Sequence, residues 1–149
     1  MMATEGVVRA LRAAHLHDAS PQTLLQMACD RIRSWGSPYT SVYAYMLHDG
    51  ELVLEAHAGR DTEHVRIPVG AGVCGTAVAE KADQNVPDVT AIGNYLACNA
   101  FTKSELVVLI RRGDHILGQI DIDSDVRDGF GEREHAAVRT VADALAVLL

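Results

Sequence analysis

From Ile116 to Asp123 the chain reads Ile-Leu-Gly-Gln-Ile-Asp-Ile-Asp, an alternation that an extended strand uses and a helix does not. Successive side chains of a strand point to opposite faces. Ile116, Gly118, Ile120 and Ile122 therefore fall on one face, and Leu117, Gln119, Asp121 and Asp123 on the other. The two carboxylates sit about 7 Å apart at their Cα atoms, pointing away from the isoleucines. Such a strand belongs in an antiparallel sheet with an apolar core on one side.

The rest of the pattern supplies that core. Ser41–Leu47 and Glu51–Ala56 flank His48-Asp49-Gly50, and an Asp-Gly pair suits a tight hairpin. Glu105–Ile110 and Ile116–Asp123 make a second hairpin around Gly113. Val7–Ala14 reads as a short amphipathic helix. Ser20-Pro21 starts a longer one that runs to Trp35, with Leu25, Ala28, Ile32 and Trp35 on its apolar stripe. A last helix spans Glu132–Leu149, its stripe being Val138, Val141, Ala142, Leu145, Leu148 and Leu149. Between the hairpins lie a short extended segment at Arg66–Val69, a small helix at Cys74–Lys81, a short strand at Val86–Val89 and a long loop at Ala91–Ser104. The order predicts an α+β fold: a central antiparallel sheet with the N- and C-terminal helices packed on one face.

At 149 residues, with no linker or repeat, the chain is expected to be one domain over residues 1–149. Aromatic residues make up only 5%, so the core must be aliphatic. The net charge of −7 and the scattered basic residues argue against nucleic-acid binding. No apolar run approaches membrane-spanning length, and Glu5 and Arg9 interrupt the N-terminus where a secretory signal would be apolar. Cytoplasm is the expected compartment. Three cysteines in a reducing compartment do not suggest a structural disulfide framework.

Three carboxylates could share a face. A three-residue loop at Arg112-Gly113-Asp114 would pair residue 111 with 115 and set Glu105 opposite Asp121; a loop one residue longer or shorter would reverse the face. Crowded carboxylates raise at least one pKa, giving a general acid or a seat for a cationic substrate. The alternative is a solvated outer sheet face. Cys74, near the start of its small helix, is placed where backbone N–H groups favour a thiolate. Cys98 lies in the long polar loop. Either could instead be a packed thiol; Cys29, beside Ala28 on an apolar helix side, reads as core. No CxxC or HxxxH spacing occurs and the seven histidines are dispersed, so no metal is expected.

The stretch Arg66-Ile67-Pro68-Val69-Gly70-Ala71-Gly72-Val73-Cys74-Gly75-Thr76-Ala77 closely resembles the free methionine-(R)-sulfoxide reductases, a GAF-domain family. So do Ala97-Cys98-Asn99-Ala100, Ser104-Glu105 and Gly118-Gln119-Ile120-Asp121-Ile122-Asp123-Ser124, with their mutual spacing. The resemblance runs from about Ser20 to the C-terminus. It implies a GAF-like fold and a thiol-dependent reductase, an oxidoreductase of oxidative-stress repair. Cys98 would attack the sulfoxide sulfur. Glu105, Asp121 and Asp123 would bind substrate, one of them protonating the departing oxygen. Cys74 would resolve the sulfenic acid to a disulfide, and a thioredoxin-type dithiol would reduce it, with no bound cofactor.

The sequence departs from the family pattern at three positions. His64 stands where a third cysteine is frequent, Ser41 where a tryptophan usually walls the substrate methyl group, and Asn99 where an acidic residue follows the nucleophile. Tyr43 or Tyr45 is a candidate to fill the tryptophan's space. The competing expectation is a non-catalytic GAF domain that senses a small ligand or a redox change. In either case the amphipathic terminal helices suit a homodimer.

Overall fold

The computed structural model describes residues 2–93, 95 and 100–149. Its first long helix starts where Ser20 predicts. The Ser20 hydroxyl accepts the Thr23 N–H at 3.1 Å, and Pro21 fills the first helical position of α2 (Pro21–Ser34). Ser20→Ala should cost about 1 kcal/mol, seen as a melting temperature lower by roughly 2–4 °C in a thermal scan. Helix α1 (Met2–Leu16) begins ahead of the expected Val7 and buries Val7 and Leu11. Helix α4 (Glu132–Leu148) opens with the Gly131 N–H donating to the Glu134 carboxylate at 2.8 Å. Its stripe of Val138, Val141, Ala142 and Leu145 is fully buried.

Six strands form one sheet in the order β3-β2-β1-β6-β5-β4, every neighbouring pair antiparallel. They are β1 (Ser41–His48), β2 (Glu51–Ala58), β3 (Arg66–Pro68), β4 (Gln84–Val86), β5 (Ser104–Arg112) and β6 (His115–Ser124). The expected β1–β2 hairpin forms: His48 pairs with Glu51, and Asp49 and Gly50 both take positive φ, at 50° and 82°. Strand β4 lies at Gln84–Val86 rather than Val86–Val89, and Val89–Ala91 is a 3-10 turn.

Helices α1, α2 and α4 pack on one face of the sheet, against Val42, Ala44, Leu106, Val108, Ile120 and Ile122. That is the expected α+β arrangement. The other face carries Tyr43, Tyr45, Val107 and Leu109, covered by Ile67 and by α3 (Gly72–Glu80) with its buried Val73, Cys74, Ala77 and Val78. Over residues 104–110 of β5 and 120–124 of β6 neither face is open to solvent. The alternative of an open acidic face is therefore wrong: Glu105, Asp121 and Asp123 are 4%, 1% and 2% exposed.

The β5–β6 register corrects one expectation. The turn holds two residues, Gly113 and Asp114, because Arg112 pairs with His115. Leu117 is then extra: Arg111 pairs with Ile116 and Ile110 with Gly118. This bulge restores the face that the shorter turn would have reversed. Glu105 thus sits opposite Asp123, with Val107 opposite Asp121. The carboxylates share a face as expected, but Ile116 and Leu117 exchange faces, Ile116 joining the α3 side and Leu117 the core under the terminal helices.

Candidate active site

Three central strands set the floor of the site. On β6, Asp121 lies between Tyr43 of β1 and Val107 of β5, and Asp123 lies between Ser41 and Glu105. Glu105 and Asp121 are diagonal neighbours, with carboxyl oxygens within 4.8 Å of each other; a hydrogen bond between them, which would hold the Asp121 pKa down, needs one proton shared by the two groups. Burial is the largest influence on Asp121 and raises its pKa; the bonds from Glu105 and Cys74 and the charge of His64 offset this only in part. Asp121 Oδ1 is buried without a hydrogen-bond partner.

Cys74 hangs from α3 above this pair, and its thiol donates to Glu105 Oε2 at 3.8 Å. It is the third residue of the helix, which begins at Gly72. The expected thiolate does not follow. Burial pushes the thiol well above its usual value, and the charges of Asp121 and Glu105 add to the rise. Desolvation of a residue only 6% exposed outweighs the helix's partial charge. Cys29 is likewise a buried free thiol, 1% exposed in the helix-side core, as expected. Gly75 lets α3 come close: a Cβ there would lie 2.5 Å from the Pro68 carbonyl oxygen.

Tyr45, His64, Ile67, Gly72, Val73, Cys74, Glu105 and Asp121 line a cavity of about 10 Å³, the room of one water. The wall on the β2–β3 side is tied down by groups the sequence did not reveal. Tyr43 donates to the Arg60 carbonyl and Tyr45 to the His64 carbonyl, both at 2.7 Å. Ser41 accepts the Arg60 N–H at 3.0 Å. The Arg60 guanidinium grips Asp125 in a two-pronged pair at 2.7 and 2.6 Å and lies 5.1 Å over the Phe101 ring. Nothing in local spacing signals a pair 65 residues apart. Of the expected site residues, Cys74, Glu105, Asp121 and Tyr45 line one cavity. Asp123 and Tyr43 flank it on the same sheet face. Cys98, and Asn99 after it, lie outside the described residues.

The sequence profile of the GAF domain family matches residues 18–149. The chain belongs to the GAF domain family. Among GAF proteins, it is 39% identical over 105 residues to the free methionine-R-sulfoxide reductase of Escherichia coli, a match covering 70% of this chain and 63% of that protein. The chain thus spans less than two thirds of that relative's length. The type II free methionine-R-sulfoxide reductase of Thermoplasma acidophilum superposes with a TM-score of 0.82 at 38% identity, over 86% of this chain and 91% of that one. A Staphylococcus aureus fRMsr solved in complex with substrate superposes with a TM-score of 0.88 at 29% identity, over 99% and 94% of the two chains. Among the described residues no helix is long and apolar enough to cross a membrane.

Proposed function

We propose that this GAF chain reduces free methionine-(R)-sulfoxide with a thiol–disulfide cycle. The observation that carries the reading is the buried Glu105–Asp121 carboxyl pair set against the Cys74 thiol, in a chain similar to named reductases of that substrate. A sulfoxide sulfur becomes a good electrophile only when its oxygen gains a proton, and burial, by raising the Asp121 pKa, favours the protonated form that can donate one.

In the first step the Cys98 sulfur attacks, takes the oxygen and is oxidised by two electrons: Cys98–SH plus sulfoxide gives Cys98–SOH plus methionine. The carboxyl pair lends a proton to the oxygen and recovers one from the attacking thiol, so none is consumed. Cys74–SH then condenses with Cys98–SOH to a disulfide and water. A protonated Cys74 suits that step, because the adjacent Asp121 or Glu105 carboxylate can accept its proton as the sulfur attacks. An external dithiol of the thioredoxin type returns both thiols and leaves as a disulfide. Asp123, beside Glu105, adds negative charge that suits the ammonium of a free amino acid. Tyr43 and Tyr45 shape the wall, their hydroxyls engaged in holding the β2–β3 connection. No cofactor takes part in this cycle. The reading is completed by one domain over residues 1–149, a homodimer through the terminal helices, and a cytoplasmic setting.

The test is methionine release from free methionine-(R)-sulfoxide by the reduced protein, recycled first with thioredoxin and then with dithiothreitol. Turnover with both supports the full cycle. Turnover with dithiothreitol alone locates the fault at resolution, where His64 replaces a thiol. No release above a protein-free control sinks the reading. A sulfoxide that raises the melting temperature without being consumed would then favour a ligand sensor.

A further inference from the structure

The cavity beside Cys74 has the donors and the dimensions for something smaller than an amino acid. One donor atom each from Cys74, Glu105 and Asp121 lies within 4.8 Å of the others, and all three residues are buried. They come from α3, β5 and β6, so no sequence spacing announces them. Each side chain is already fixed by packing, so gathering the ligands costs little further conformational entropy. Asp121 Oδ1 is an orphaned acceptor, 1% exposed, in a residue that lines the cavity. The space of about 10 Å³ admits one water-sized guest. His64 lines the same space and brings an imidazole as a further donor.

We propose that this cavity binds a divalent ion of the zinc class through Cys74, Glu105 and Asp121, and that the bound ion excludes the sulfoxide. A thiolate with two carboxylates and a neighbouring imidazole is a borderline-soft donor set that favours Zn²⁺ over Mg²⁺ or Ca²⁺. Coordination exchanges two protons for the metal, one from the Cys74 thiol and one from the Glu105–Asp121 pair: a Cys74–S–Zn bond and two carboxylate–Zn bonds form, and both protons are released to solvent. The ion neutralises carboxylates that otherwise face one another in a dry site. It also ties up the proton-bearing pair and the resolving thiol together. The exclusion of substrate rests on the reductase reading; the metal site itself does not.

The probe for the site is Co²⁺, titrated into reduced Cys98→Ser protein in thiol-free buffer. That background leaves Cys74 and the core thiol Cys29 as the sulfur ligands. A thiolate-to-cobalt charge-transfer band that saturates at one ion per chain, is displaced by Zn²⁺ and vanishes in Cys74→Ser/Cys98→Ser supports the site. Glu105→Gln in the same background should weaken binding at least 10-fold while still melting cooperatively. Absence of the band, or a band unchanged by Cys74→Ser, overturns it. For the second half, one equivalent of Zn²⁺ should abolish single-turnover methionine release by the wild-type protein, and release unchanged at saturating Zn²⁺ overturns exclusion. Absence of release without metal would instead overturn the reductase reading, with the cobalt titration still deciding the site.

Discussion

On the proposed reductase reading, replacing Asp121 by asparagine should lower kcat/KM for free methionine-(R)-sulfoxide by about 10²–10⁴-fold without weakening the fold. The side chain is buried on a central strand, hydrogen-bonded to Glu105 and raised in pKa chiefly by burial. Asparagine keeps the shape and can still bond Glu105, but it cannot lend a proton to the sulfoxide oxygen; positioned proton transfer contributes about 10²–10⁴-fold. The stability arm has the opposite sign. Because the folded carboxyl titrates above the unfolded one, the native state holds a proton that the unfolded chain has lost. The stability this confers is complete below the unfolded value, about 3.9, and declines as pH rises through the raised folded value. The asparagine variant lacks that decline, so its melting temperature should fall less than the wild type's from acid to neutral pH. Cys74, also raised, adds a separate loss that begins only above the unfolded thiol value, about 8.5. Melting curves from pH 4 to 10 beside steady-state kinetics read both arms. Full activity in Asp121→Asn would remove Asp121 from the chemistry.

The largest stability loss is expected at Gly118→Ala. Gly118 follows the Leu117 bulge, pairing with Ile110 on one side and Met46 on the other. A Cβ there would lie 2.2 Å from the Tyr45 carbonyl oxygen and 2.9 Å from the Met46 Cα. These are backbone atoms of the adjacent strand, so relief requires prising β1 from β6 rather than turning a side chain. Overpacking of this kind costs about 3 kcal/mol or more, a fall in melting temperature of roughly 6–12 °C for a chain of this size. Gly113→Ala is the internal comparison. Its φ of 58° strains alanine, but no heavy atom lies within 4 Å of the added carbon, so about 1 kcal/mol is expected. Equal losses at the two positions would mean that the strands part more easily than their packing implies.

Periodic features were legible in the sequence and tertiary ones were not. The Ser20-Pro21 start, the Asp49-Gly50 turn and the isoleucine face of β6 at Ile120 and Ile122 each rest on local rules, and each holds. The α1 start and β4 depend on distant partners. Gln84 and Asn85 are poor strand formers held by pairing with Val107 and Leu106, while the Asn85 amide reaches the Phe130 carbonyl at 2.8 Å. For the site, alternation grouped the carboxylates correctly even though the pairing of Glu105 was off by two residues, Asp123 in place of Asp121. Alternation could not show that α3 closes over them. That lid of apolar residues turns an ordinary acidic face into a dry one, and it reverses the protonation expected of Cys74.

Strand β6 sits between β1 and β5, so the carboxyl pair hangs from the inner rungs of the sheet. Amides there should exchange with deuterium only when the whole molecule opens. Cys74 is carried instead by a nine-residue helix outside the sheet. Gentle denaturant should therefore uncouple the thiol from its acids first, silencing chemistry while most of the fold still resists exchange.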